Sequence, residues 1–149
     1  MSSGIQRACA KWALALFVLL LAIVSFSVAA NEDFLPVDKA FELNVQPQGD
    51  DIVLHWDIAP GYYLYRHRLE FKGEPTDIAP PSLPEGTSIS DEYFGDSEVY
   101  YDSLTVQVAP GQAEKIALSW QGCAEDGLCY APQHDTLDLA SMTLENGSF

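Results

Sequence analysis

The chain predicts an all-β fold, and three observations carry that reading. Apolar and polar residues alternate strictly in short runs, Pro, Gly and Asp bound those runs, and no window after residue 30 sustains apolar residues at i, i+3, i+4 and i+7. A period of two is the pattern of a strand with one buried face. Phe41, Leu43 and Val45 alternate with Glu42 and Asn44 as a first strand. Pro47-Gln-Gly-Asp-Asp51 reads as a turn, after which Ile52, Leu54, Trp56 and Ile58 alternate with Val53, His55 and Asp57 as a second strand.

Ala59-Pro60-Gly61 punctuates the chain before an aromatic run from Tyr62 to Phe71, read as one strand, which Lys72-Gly-Glu-Pro75 closes as a turn. Pro80, Pro81 and Pro84 remove ladder donors, so Ile78 to Gly86 is expected to be irregular. Thr87 to Ser90 and Glu98 to Tyr101 then flank Asp91-Glu-Tyr-Phe-Gly-Asp96, expected to be an exposed loop. Leu104, Val106 and Val108 alternate up to Pro110-Gly111, and Ile116, Leu118 and Trp120 up to Gly122. Leu137 and Leu139 suggest a last short strand, and the tail from Glu145 to Phe149 is expected to fray. Seven or more short strands at intervals of about ten residues favour an antiparallel β-sandwich of immunoglobulin-like type over a barrel or a βαβ fold.

Residues 1–30 combine Arg7 and Lys11 with an apolar stretch from Trp12 to about Val28, ending in the small pair Ala29-Ala30. This is the pattern of a cleaved secretory signal, with a retained anchor of similar length as the alternative. Cys9 precedes the apolar stretch and leaves with the signal, so residues 31–149 form one exported domain with two cysteines. In an oxidising compartment these two pair by default. All 22 acidic residues lie after residue 30, and the formal charge of the whole chain is −15. Nucleic acid and anionic lipid are therefore poor partners, and a soluble monomer is expected.

Cys123 and Cys129 stand in Trp120-Gln-Gly-Cys-Ala-Glu-Asp-Gly-Leu-Cys-Tyr-Ala-Pro132. The structural cystine of an immunoglobulin sandwich joins strands far apart in sequence, across sheets about 10 Å apart, and this pair cannot do that. Five intervening residues suit the base of a turn, where facing Cα atoms lie about 5.5 Å apart. Closing so short a loop contributes only about 2–3 kcal/mol on the chain-entropy estimate, so the bond is a weak staple. A switchable disulfide is the leading reading, and a local clip on a hairpin is the other. Gly122 and Gly127 favour the first, because they leave a flank of the sulfurs uncovered.

These residues resemble the N-terminal periplasmic domain family of the bacterial thiol:disulfide interchange protein DsbD. The likeness runs through Phe34-Leu-Pro-Val-Asp-Lys-Ala-Phe41, Gly61-Tyr-Tyr-Leu-Tyr-Arg66, Asp91-Glu-Tyr-Phe-Gly-Asp-Ser-Glu98 and the cysteine segment. The resemblance implies a domain that relays two electrons by thiol–disulfide exchange, without a cofactor. It would take them from a membrane or thioredoxin-like donor and pass them to periplasmic thioredoxin-fold proteins, including disulfide isomerases and a cytochrome c maturation reductant. By motif position, Cys129 forms the mixed disulfide and Cys123 resolves it. The family's cap loop falls on Asp91, Glu92, Tyr93, Phe94 and Gly95, with Tyr93 in the place of an aromatic residue that shields the cystine until a partner displaces it, a Phe in one known member. Tyr63 and Tyr65 are placed beside the cysteines and Phe34 near the cap; as bare residues Tyr63 and Tyr65 read first as core aromatics. Glu125 and Asp126, with Asp91 and Glu92 nearby, are expected to raise the thiol pKa. Family members continue into a membrane conduit and a second thioredoxin-like domain, so a separate reductase acting in trans or a longer parent chain would supply the electrons.

His55, His67 and His134 beside two cysteines raise the question of copper or zinc, but the spacings match no closed zinc pattern, and His55 and His67 fall within expected strands. No metal is expected. The competing class is a non-catalytic exported immunoglobulin-like binding module with a structural disulfide, which redox titration separates from a carrier. No nucleophile-elbow or metalloprotease motif supports a hydrolase.

Overall fold

The computed structural model describes residues 34–147. The expected signal segment, Cys9 and the last two residues lie outside that range. After a single helical turn, α1 (Val37–Ala40), the described chain is built of eleven strands. The first two, β1 (Phe41–Gln48) and β2 (Asp51–Ile58), form a hairpin whose loop is only Gly49 and Asp50. The expected five-residue turn is thus shorter. Pro47 sits inside β1 opposite Ile52, which is tolerated because β1 is an edge strand.

The expected strand from Tyr62 to Phe71 is two strands. β3 (Tyr62–Tyr65) ends in a 3₁₀ turn at Arg66–Arg68, and β4 (Glu70–Glu74) resumes in a different sheet. His67 accordingly lies in that turn and not in a strand. Lys72 to Glu74 extend β4 instead of closing it. Residues 77–86 hold no regular element, as their prolines predict.

The remaining strands are β5 (Thr87–Asp91), β6 (Gly95–Tyr100), β7 (Ser103–Val108), β8 (Lys115–Trp120), β9 (Gly122–Ala124), β10 (Gln133–Asp138) and β11 (Thr143–Asn146). The tail is not frayed where it is described: Glu145 and Asn146 pair with Thr136 and Asp135, and the Gly147 N–H donates to the His134 carbonyl at 2.7 Å.

Three antiparallel sheets result, ordered β1-β2-β7, β11-β10-β8-β4 and β5-β6-β3-β9. Inward residues of the first (Leu54, Trp56, Leu104, Val106) and of the second (Ile116, Leu118, Leu137) meet in one buried core, the immunoglobulin-like sandwich. Burial in β2 and β7 alternates as the sequence pattern does. The third sheet turns Tyr62, Leu64 and Tyr100 toward that core. Among the described residues, no helix is long and apolar enough to cross a membrane. His55 lies in β2 as expected, its ring between the Thr105 hydroxyl at 2.8 Å and the Asp57 carboxylate at 3.3 Å.

Candidate functional site

β3 is buried on both faces, so its alternation divides it between two clusters. Tyr62 and Leu64 enter the main core. Tyr63 and Tyr65 enter a second cluster with Val99 and Cys123, covered by Ile89, Phe94, Tyr101 and Cys129. Opposite β3 runs β9, with Tyr63 facing Cys123 and Leu64 facing Gly122. A Cβ on Gly122 would stand 2.3 Å from the Phe41 ring and 2.8 Å from the Tyr63 carbonyl oxygen. Gly122 is therefore a close-approach residue that lets β9 seat against β3, and it does not uncover the sulfurs as its sequence position suggested.

Beyond β9 the chain reverses. The Gly127 N–H donates to the Ala124 carbonyl at 3.1 Å, with Gly127 at φ +95° in open space. This glycine does leave the turn uncovered. The return brings Cys129 opposite Cys123, flanked by bonds from Ala124 N to Leu128 O (2.7 Å) and from Tyr130 N to Gly122 O (3.1 Å). That bracket marks the narrow, non-hydrogen-bonded type of antiparallel pair, so the Cα atoms lie 4.0 Å apart instead of the expected 5.5 Å. The two cysteines form a disulfide.

Its two sulfurs are not equivalent. Cys123 is fully buried, whereas Cys129 is partly exposed. The Cys123 sulfur lies 3.6 Å from the Tyr65 hydroxyl oxygen. Tyr65 donates its proton to Asp91 Oδ2 at 2.6 Å, so the Tyr63 hydroxyl, 3.3 Å away, donates to Tyr65. The other Asp91 oxygen accepts the backbone N–H groups of Tyr93 (2.9 Å) and Phe94 (2.8 Å). Burial pushes both phenols upward in pKa, Tyr65 far above the usual range, with the Asp91 bond adding to it. They remain neutral donors. Burial would raise Asp91 too, but the bonds from Tyr65 and from the Phe94 and Tyr93 amides outweigh it and hold the carboxyl below its ordinary value.

The segment expected to be a loose loop is a tight hairpin tip. Asp91 pairs with Gly95, leaving Glu92, Tyr93 and Phe94 as the loop, and the Asp91 carboxylate folds it by capping the two amides. Phe94 points inward: its ring lies edge-on to Tyr65 at 4.8 Å and to His67 at 5.1 Å, with the Arg68 guanidinium 4.4 Å from its centroid. Tyr93 points outward, 45% exposed, and its hydroxyl donates to the Gly127 carbonyl in the cysteine loop. Glu92 is exposed, as are Glu125 and Asp126. Glu125 lies close enough to add to the upward shifts of Tyr63 and Tyr101, both raised first by burial.

On the other side of the cysteine loop, the Leu35 N–H donates to the Tyr62 hydroxyl (2.8 Å) and the Tyr130 hydroxyl donates to the Leu35 carbonyl (2.5 Å). Burial, then Tyr62, pushes the Tyr130 pKa up to about 12. Phe34 is 37% exposed and outside the buried cluster that holds Phe94. Sequence reasoning missed this Tyr62–Leu35–Tyr130 clamp, Tyr101 against Tyr63 at 5.7 Å, and His67 with Arg68 against Phe94. The only advance signal for the last pair was Arg66-His-Arg68, which interrupts the alternation of an otherwise apolar run.

The model for the N-terminal domain of thiol:disulfide interchange protein DsbD matches residues 31–141. The chain is 49% identical over 112 residues to thiol:disulfide interchange protein DsbD 2 of Pseudomonas aeruginosa, a match covering 74% of this chain and 19% of that protein. A Cronobacter sakazakii DsbD is 42% identical over 114 residues, covering 73% and 20%. The chain thus spans about a fifth of the length of these curated relatives. Among solved structures, the reduced Neisseria meningitidis DsbD N-terminal domain superposes with a TM-score of 0.68 at 32% identity, over 78% of this chain and 97% of that one. A complex between the DsbD and PilB N-terminal domains of the same organism gives a TM-score of 0.63 at 34% identity, over 72% and 88%. With its β-sandwich and its capped cystine, the chain belongs to the DsbD N-terminal domain family.

Proposed function

We propose that residues 31–149 are an exported periplasmic domain that carries two electrons by thiol–disulfide exchange through Cys123 and Cys129. The observation that carries this reading is the asymmetry of the cystine: one sulfur is buried against Tyr65 and the other lies at the rim under a hairpin tip. Exchange needs a reachable sulfur for attack and a second one positioned to leave. A partner thiolate attacks Cys129 Sγ, the disulfide breaks, and Cys123 departs as a thiolate that takes up a proton. The partner's second thiolate then attacks its own sulfur in the mixed disulfide and releases Cys129. The partner dithiol is thereby oxidised to a disulfide, and this pair gains two electrons and two protons. Run in reverse, the same steps pass the electrons on to a thioredoxin-fold acceptor.

Asp91, bonded to the Tyr65 hydroxyl that lies beside the Cys123 sulfur, and Glu125 in the cysteine loop set negative charge on the side of the pair, which disfavours a free thiolate and keeps the reduced pair unreactive until a partner docks. Cap residues Tyr93 and Phe94 cover the pair, Tyr63 and Tyr65 line its floor, and the donor is a membrane or thioredoxin-like reductant. Trapping tests the assignment. Incubated with an oxidised thioredoxin-fold acceptor, the reduced Cys123→Ala variant should hold it as a stable mixed disulfide through Cys129, visible on a non-reducing gel. Cys129→Ala should trap little; equal trapping by both variants would overturn the division of roles.

A further inference from the structure

We infer that the Tyr93 hydroxyl is a latch: its bond to the Gly127 carbonyl holds the hairpin tip shut over Cys129 and selects for partners able to replace it. The inference rests on the exchange role proposed above.

The tip is held at two places that differ in kind. Its base is fixed to its own sheet, by the Asp91 carboxylate taking the Tyr65 hydroxyl and two tip amides, and by Phe94 packed among Tyr65, His67 and Arg68. Those anchors meet the cystine only from its buried side, where the Tyr65 hydroxyl lies 3.6 Å from the Cys123 sulfur and Phe94 packs against the same cluster. Among the described hydrogen bonds, only Tyr93 to Gly127 crosses from the tip to that turn. Its acceptor sits two residues before Cys129 in a turn with no side chain at Gly127 to hinder approach. A small backbone change at residues 92–94 would swing Tyr93 outward and expose Cys129 while Phe94 stays seated.

Opening leaves the Gly127 carbonyl without its donor. Water replaces it in the free protein, but an attacking molecule that covers the loop excludes that water. A partner docked over the loop holds an N–H or O–H in place on the Gly127 oxygen and restores the bond, whereas a small thiol attacking from solvent has no docked surface to fix a donor there and leaves that oxygen to water. The latch therefore discriminates against small thiols in favour of a docked protein surface. Phenylalanine at this position keeps the shielding ring and lacks the bond.

The test follows reduction of the oxidised protein by dithiothreitol, whose dithiol closes to a disulfide as Cys123 and Cys129 take up two electrons and two protons, and separately by reduced thioredoxin. Tyr93→Phe should speed the dithiothreitol reaction about 2- to 5-fold, the span of one partly exposed net hydrogen bond, and change the thioredoxin rate less. Tyr93→Ala should speed both further. An unchanged dithiothreitol rate in Tyr93→Phe, with acceleration only in Tyr93→Ala, would show that the ring alone shields the cystine and would overturn the latch. Equal acceleration of both reductants in Tyr93→Phe would overturn the selectivity. If thioredoxin fails to reduce even the wild type, the exchange role falls, while the dithiothreitol comparison still decides whether Tyr93 bars access.

Discussion

The main core packs Leu54, Trp56, Val106, Ile116 and Leu137 from two facing sheets, and its indole N–H groups are treated differently: that of Trp120 is held by Asp135 at 2.8 Å, and that of Trp56 is buried without a hydrogen-bond partner. The cluster around Cys123 packs two tyrosines, a valine and a sulfur under a carboxylate that accepts three hydrogen bonds. Both are buried, yet their cohesion differs. In the first it scales with apolar area and has no preferred direction. In the second it is directional, and every donor must keep its acceptor. The difference puts non-directional apolar cohesion in one region and a geometry set by hydrogen bonds in the other.

Substitutions in β3 test this contrast most sharply, because neighbouring residues report on different clusters. Leu64→Ala, a cut into the main core from a fully buried site, is expected to lower unfolding stability by about 2–5 kcal/mol in urea titration. Its effect on the reduction rate of the folded protein should be slight. Tyr65→Phe should do the converse. It leaves the ring packing and removes the donor to Asp91, costing about 1–2 kcal/mol and loosening the tip. Faster amide exchange at Tyr93 and Phe94 would register that change. A large stability loss in Tyr65→Phe with an unaltered tip would erase the distinction between the two regions.

The smallest expected effect is that of acidity. The Asp91 carboxyl has a lower pKa folded than unfolded, so its support of the tip is complete above the unfolded value near ~4. That support disappears as pH falls through the still lower folded value. Protection of the Tyr93 and Phe94 amides, referenced to intrinsic rates at each pH, should hold from pH 7 to about 5 and decline below about 4. The main core around Leu54, Val106 and Leu137, held by apolar packing, should show no matching step.

Period-two alternation made β1, β2, β7 and β8 legible, because each has one face against apolar neighbours and one in water. Where that contrast vanishes, legibility does too. β3 is buried on both sides, so it shows no alternation, and its break was marked only by the charged Arg66-His-Arg68, with no Gly or Pro to end the strand. β9 is three residues long, and β11 carries one partly buried leucine among exposed neighbours. The cysteines, the tip and the floor tyrosines were readable as a motif. Their asymmetry was not, since it depends on which strand faces which, as do the Leu35 clamp and the Arg68 contact with Phe94. Gly122 illustrates the limit: its glycine was noticed for the wrong reason, because the Phe41 ring that demands it lies 81 residues away in sequence.

One four-residue strand, Tyr62–Tyr65, is common to both clusters, and this bears on how the site can be moved or diversified. A graft of the cysteine hairpin alone onto another sandwich would arrive without its floor, because the tyrosines beneath the sulfur are interleaved with residues that belong to the host's interior. The transferable module is the hairpin, the tip and this strand together, and drift at Tyr62 or Leu64 is constrained by the tyrosines and the cystine packed on the opposite side of the backbone.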